Sequence, residues 1–275
     1  MKLQTIVDIK PSEWKIGYED KILMLGSCFS DEVGEQMKQR YLQVTCNPFG
    51  TLYNPLSIAQ ALTMTEVPEL IEHDCLWHSM AHHGAFSHPT KEEAEAAVSA
   101  SIETMQQALD EATVVIVTFG TAWVYEMDGA IVGNCHKLPE TCFCRRRLSV
   151  DEIVAAWQPI LERYPDKHWL FSVSPIRHIK DGLHENQLSK ATLLQAVEAI
   201  SHQLLTVSYF PSYEIVLDEL RDYRFYADDL VHPSSMAVNY IWERFVETFC
   251  TPQTKNELVL QHKRWKHEHH IPLHS

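Results

Sequence analysis

The sequence predicts a doubly wound α/β sandwich built on a mainly parallel sheet. Three observations predict it. The run Thr113-Val114-Val115-Ile116-Val117-Thr118-Phe119 is apolar and β-branched almost throughout, as in a strand covered on both faces. Runs of this kind alternate with helical segments along the chain. Glycines stand at strand ends, at Gly26 and Gly120, and open α/β sheets build their sites at that edge.

Each element has its own local reason. Residues 21–25 read as a buried strand. Residues 30–41 read as a helix with Ser30 at its N-cap and Val33 and Met37 on one face. Asn47-Pro48-Phe49-Gly50 is a polar turn. Pro55 opens a helix to Thr63, since proline suits the first turn. The His-rich stretch 73–89 has no periodicity and reads as a loop with a short strand at Cys75–Trp77. Residues 90–111 form an Ala- and Glu-rich helix capped by Thr90, followed by the strand at 113–119. A hairpin over 122–133 turns at Asp128-Gly129. Ser149 and Glu152 make a capping box for a helix over 149–164. His168–Val173 is a buried strand ending at Ser174-Pro175. A long helix spans 186–206, and Tyr213–Val216 is the last strand. Ser234 or Ser235 caps a helix to Phe249. Residues 1–250 form one domain, with 251–275 as a peripheral extension rich in His and Lys. No repeat, low-complexity block or long linker divides the chain.

The 275 residues are ample for a core, and 45% apolar with 22% charged residues is ordinary for a globular domain. A formal charge of −14 argues against nucleic acid or an anionic membrane as partner. Arg145-Arg146-Arg147 is a single short basic run and reads as a local contact. Asp8, Lys10 and Glu13 interrupt any leader-like apolar stretch, and no segment is long and apolar enough to span a bilayer. The seven scattered cysteines then read as reduced thiols in a cytoplasmic protein. Oligomeric state is not written in any motif.

Two distant segments carry candidate chemistry. Ser27 follows the first strand and its glycine, which delivers a hydroxyl to the carboxyl edge of the sheet. Far down the chain, Asp229-Leu230-Val231-His232-Pro233 offers a base, His232, and an orienter, Asp229 or its neighbour Asp228. Nucleophile, base and orienter need only meet in space, so Ser27, His232 and Asp229 are the candidate catalytic residues. Cys28 is the alternative nucleophile, because a thiol is intrinsically stronger and a helix N-terminus lowers its pKa, but with Ser27 where a nucleophile is expected, Cys28 reads first as a small apolar residue facing inward. Backbone N–H groups at Cys28 and Gly50, and the side chains of Asn47, Asn54 and Asn134, are candidate oxyanion donors. Cys135-His136 with Cys142 and Cys144 does not match zinc-ligand spacing, and no metal or cofactor is expected. No Gly-rich phosphate loop is present.

Gly26-Ser27-Cys28-Phe29-Ser30 resembles the signature of the GSCFA family, of the SGNH/GDSL-like hydrolases, with Ser30 in place of the signature's Ala. Further segments look like family features: Asn47-Pro48-Phe49-Gly50-Thr51-Leu52-Tyr53-Asn54-Pro55, Phe119-Gly120-Thr121-Ala122-Trp123-Val124-Tyr125, Asn134-Cys135-His136-Lys137, Ser174-Pro175-Ile176-Arg177-His178 and the segment 229–233. The resemblance implies a flavodoxin-like three-layer α/β/α sandwich. It implies Ser27 as nucleophile, His232 as base, Asp229 as its partner and Gly50 as an oxyanion donor. The superfamily's Gly-x-Asn block stands here as Gly120-Thr121-Ala122, so Thr121, Asn134 or His136 would replace its Asn. The implied activity is hydrolysis or transfer of an acyl ester on a small molecule or carbohydrate. A ligand-binding member without turnover, or a Cys28-dependent thioester enzyme, are the alternatives.

Overall fold

The computed structural model describes residues 4–202 and 206–269. Its main sheet has five strands: β1 (Lys21–Gly26), β2 (Gln43–Cys46), β5 (Val114–Phe119), β9 (His168–Val173) and β10 (Val207–Phe210). Their order is β10-β9-β5-β1-β2, and every pairing is parallel. This is the flavodoxin-like order, and the connections reverse direction at the β1/β5 boundary, where such sheets open a crevice.

Strand side chains alternate between two cores. Leu23, Leu25, Val115, Val117, Trp169 and Phe171 face one side, buried under α2 (Pro55–Thr63), α3 (Lys91–Glu111), α4 (Val150–Arg163) and α5 (Leu183–Ser201). Ile22, Met24, Ile116 and Leu170 face the other, under α1 (Cys28–Lys38) and α7 (Ser235–Phe249). Burial on both faces is why these strands carry continuous apolar runs. The three-layer sandwich is therefore present.

Several boundaries follow the expected chemistry. Asn54 caps α2 ahead of Pro55, Thr90 caps α3, and Ser149 with Glu152 forms both halves of a capping box on α4. The hairpin of β6 (Trp123–Met127) and β7 (Ala130–Val132) turns at Asp128-Gly129, both at positive φ.

Other elements differ from expectation. Helix α1 starts at Cys28, so Ser27 is the N-cap residue, and Ser30, in the first turn, donates its hydroxyl to the Leu25 carbonyl at 3.2 Å. Stretch 73–89 contains part of a hairpin, β3 (Leu70–His73) and β4 (Leu76–Ser79), whose turn holds Asp74 and Cys75 at positive φ without glycine. The basic run is a strand, β8 (Cys144–Arg147), paired with β6. Helix α5 runs from Leu183 to Ser201, and residues 203–205 of its expected end lie outside the described residues. The last strand is β10, not Tyr213–Val216. That segment is helical, α6 (Ser212–Glu214) running into a π-helical turn at Ile215–Leu220, and its apolar side chains are buried from there. Beyond Thr251, the expected extension forms α8 (Pro252–Glu268), held by Leu258 and by a Thr254 hydroxyl on the Ile16 carbonyl at 3.0 Å. His270 lies outside the described residues. No described helix is long and apolar enough to cross a membrane.

Candidate active site

The site forms where β1 meets α1, beside the crevice. Gly26 holds φ +134°, and a Cβ there would lie 2.1 Å from the Thr118 carbonyl oxygen on β5. Only glycine lets β1 approach β5 this closely before the chain turns into α1. The Gly26 N–H donates to Asn47 Oδ1 at 2.9 Å, and Asn47 Nδ2 donates to Asp31 Oδ1 at 2.7 Å. The turn is thus tied to β2 and to the first turn of α1.

With α1 beginning at Cys28, the two adjacent candidates differ in burial and in partners. Ser27 is 1% exposed, and its Oγ is buried without a hydrogen-bond partner. The Cys28 thiol is half-buried and lies 3.7 Å from His232 Nε2. The side chain in contact with the base is therefore that of Cys28, while the buried Ser27 hydroxyl makes no hydrogen bond to His232. Burial pushes the Cys28 thiol above its ordinary pKa. The Cys28 and Phe29 N–H groups, at the N-terminus of α1, pull it back down, while Asp31 and Glu32 add to the rise.

His232 sits on a loop that Asp229 organises. Asp229 Oδ1 accepts from the N–H groups of Val231 and His232 at 2.9 and 3.0 Å, and Oδ2 meets His232 Nδ1 at 2.6 Å. These hydrogen bonds, the His232 N–H foremost, hold the Asp229 carboxyl down at about 2. An ionised carboxylate only accepts, so Nδ1 carries the ring proton and Nε2 is left as acceptor toward the thiol. Of the two neighbouring aspartates, Asp229 is the one that holds the ring. Arg177 braces the loop, with its N–H on the Val231 carbonyl at 3.1 Å and its guanidinium on the Leu230 carbonyl at 3.2 Å.

The other expected donors have partners within the fold. The Gly50 N–H closes its own turn on the Asn47 carbonyl at 2.7 Å, so it does not face the thiol as a free donor. Asn47 is spent on Gly26 and Asp31. Thr121 pairs its hydroxyl with Ser189 at 3.1 Å and its N–H with the Tyr53 carbonyl at 2.9 Å. Asn134 accepts from the His136 N–H at 2.9 Å, and His136 Nε2 donates to the Ser79 carbonyl at 2.8 Å. His136 belongs to a polar cluster with His78 and His82. Among the described residues no group of three or more His, Cys, Asp or Glu is placed to hold a metal ion.

Three nearby residues were not singled out from sequence. Tyr53 supplies the carbonyl that takes the Gly120 and Thr121 N–H groups, and burial, then Cys28, raises its hydroxyl pKa. His178 packs edge-on against Tyr53 with ring centroids 6.3 Å apart. Its Nε2 is buried without a partner, and burial, then Lys190, pulls its pKa down to about 4. Lys190 is wholly buried and donates to the carbonyls of Gly120 and Ser174, each at 2.7 Å. Tyr53 and His178 lie in the family-like segments Asn47–Pro55 and Ser174–His178, whereas Lys190 is hidden inside a helical pattern.

The family model of the GSCFA family matches residues 21–245. No curated protein matches the chain.

Proposed function

Because the chain belongs to the GSCFA family and carries a thiol, an imidazole and a carboxylate in line, we propose that it cleaves or transfers an acyl group through Cys28. The observation that carries this reading is the 3.7 Å approach of Cys28 Sγ to His232 Nε2, with Nδ1 held by Asp229. His232 takes the thiol proton as the sulfur attacks the acyl carbonyl carbon. The S–C bond forms, and the carbonyl electrons move to oxygen at the α1 N-terminus, where the Cys28 and Phe29 N–H groups face the developing charge. The bond to the leaving group breaks, and His232 returns the proton to that group. Water, or an acceptor hydroxyl or thiol, then releases the acyl group from Cys28. Asp229 keeps the proton on Nδ1 and stabilises the imidazolium. The substrate class is an ester or thioester of a small molecule or carbohydrate.

Mass mapping after a short exposure to 4-nitrophenyl acetate tests this. Acetyl should appear on Cys28 at least tenfold faster than on the exposed Cys75, Cys142 and Cys144. It should persist in Ser27→Ala and vanish in His232→Ala. Acetyl on Ser27, or no preference for Cys28, overturns the proposal.

A further inference from the structure

Behind the His232 loop lies an open cleft of about 210 Å³, walled by the start of α5 on one side and the π-helical turn with the segment after it on the other. Its walls present Leu183, Leu217 and Tyr223, which are 54%, 37% and 65% exposed. Such exposure of large apolar side chains around one concavity marks a binding surface. The cleft wall is tied to the His232 loop: Tyr226 bridges to Pro233, and the next residue, Ala227, donates its N–H to the His232 carbonyl at 2.8 Å.

Charge in the cleft runs opposite to the rest of the molecule. Arg177 and Arg221 both line it. Asp222 is the acidic residue there, and Arg224 neutralises it at 3.0 Å. Arg221 makes no ion pair among the described residues. Arg177 has its guanidinium 5.3 and 5.8 Å from the rings of Tyr226 and Tyr223, with the Leu230 carbonyl as its hydrogen-bond partner. The polar neighbours are occupied: Asn186 Oδ1 takes the His178 N–H, and Gln187 Oε1 takes the Tyr213 hydroxyl. Two arginines without carboxylate partners, over aromatic and aliphatic walls in a chain of net charge −14, focus field on an incoming anion.

We propose that this cleft binds the non-reacting part of the substrate, a carboxylate or phosphate carried on an apolar or aromatic body. The proposal rests on reading Cys28 and His232 as the reacting pair. Arg221 would hold the anion, Arg177 would assist while bracing the loop, and Tyr223 would cover the body.

Calorimetric titration of the full chain with 4-phenylbutyrate, phenyl phosphate and neutral 4-phenylbutyramide tests it. At least one anion should bind tenfold or more tightly than the amide, and the stronger of the two identifies the head group. Arg221→Gln should erase the preference, and Tyr223→Ala should weaken anion and amide alike. Equal binding of anion and amide, or a preference unchanged in Arg221→Gln, overturns the proposal. No turnover is involved. An intact anion preference without acetylation of Cys28 retires the catalytic reading, whereas acetylation without the preference retires the cleft.

Discussion

Asp229 holds His232 at three points: the ring Nδ1 at 2.6 Å, the His232 N–H at 3.0 Å and, one residue before, the Val231 N–H at 2.9 Å. One carboxylate thus sets the loop's shape and the ring's tautomer together. This makes the two functions separable by substitution.

In Asp229→Asn the side-chain oxygen can keep the two backbone N–H groups, but the amide NH2 then faces Nδ1. The ring must move its proton to Nε2, which turns a donor toward Cys28. Cys28 acetylation should fall by a factor of about 10² or more, while the thermal midpoint moves little. Full activity in this variant shows that the tautomer does not matter. The wild-type loop also has a pH signature. Asp229 is depressed in the folded state, so its contribution to stability is present above the ordinary aspartate pKa and is lost as pH falls toward about 2.

The buried polar cluster behind β4 predicts a second pH response. His82 is fully buried, with Ser79 Oγ at Nδ1 (2.7 Å), Ser101 Oγ at Nε2 (2.9 Å) and Phe49 stacked at 4.0 Å. Burial, then His136, pulls its pKa down to about 4. Between that value and the ordinary histidine pKa, the unfolded chain binds a proton that the folded chain refuses. Stability should therefore fall as pH drops through this window, with His82 contributing on the order of 2 kcal/mol between pH 7.5 and 5 and the similarly lowered His178 adding to it. Urea denaturation at the two pH values measures the loss, and His82→Gln should shrink it by the His82 share. An equal loss in wild type and His82→Gln would place the response elsewhere.

How much of this was readable depended on what each side chain meets. Val114–Phe119 and Ile22–Leu25 were legible because central strands bury both faces. The edge strand β2 was not, since Gln43 and Thr45 break its apolar pattern. β8 escaped because its arginines are satisfied mostly by partners distant in sequence: Asp181 for Arg145, Glu126 for Arg146, which also reaches the nearby Glu152, and Glu185 for Arg147. Tyr213–Val216 mimicked a strand because four residues cannot distinguish a buried helical turn from an extended one. The site's partners were visible as motifs. The choice between Ser27 and Cys28 was not, because it turns on the residue at which α1 begins.

Gly26 offers a direct test of that geometry. A methyl group at this position would stand 2.1 Å from the Thr118 carbonyl oxygen, at a φ that L-residues rarely adopt. Either β1 separates from β5, or the turn into α1 shifts. Gly26→Ala should cost at least about 3 kcal/mol in urea denaturation. Any folded fraction should lose preferential acetylation of Cys28. A variant with wild-type stability would show that β1 and β5 are not in such close contact.

Lys190 predicts a pH effect of the opposite window. Its Nζ ties the Gly120 carbonyl, after β5, to the Ser174 carbonyl, after β9, and it lies 5.6 Å from the Tyr213 ring. Burial pulls its pKa down to about 7. A neutral amine still has two N–H groups, one for each carbonyl, so deprotonation keeps both bonds and removes the cost of a buried charge. From about pH 7 up to the ordinary lysine pKa, the unfolded chain holds a proton that the folded chain has released. Stability should therefore rise across that window, by on the order of 2 kcal/mol between pH 6.5 and 9. Lys190→Met removes the titration and leaves two buried carbonyls without a donor, so it should be less stable at both pH values and lack the rise. An identical rise in Lys190→Met would assign it to another group and leave Lys190 a purely structural tie between the two strand ends.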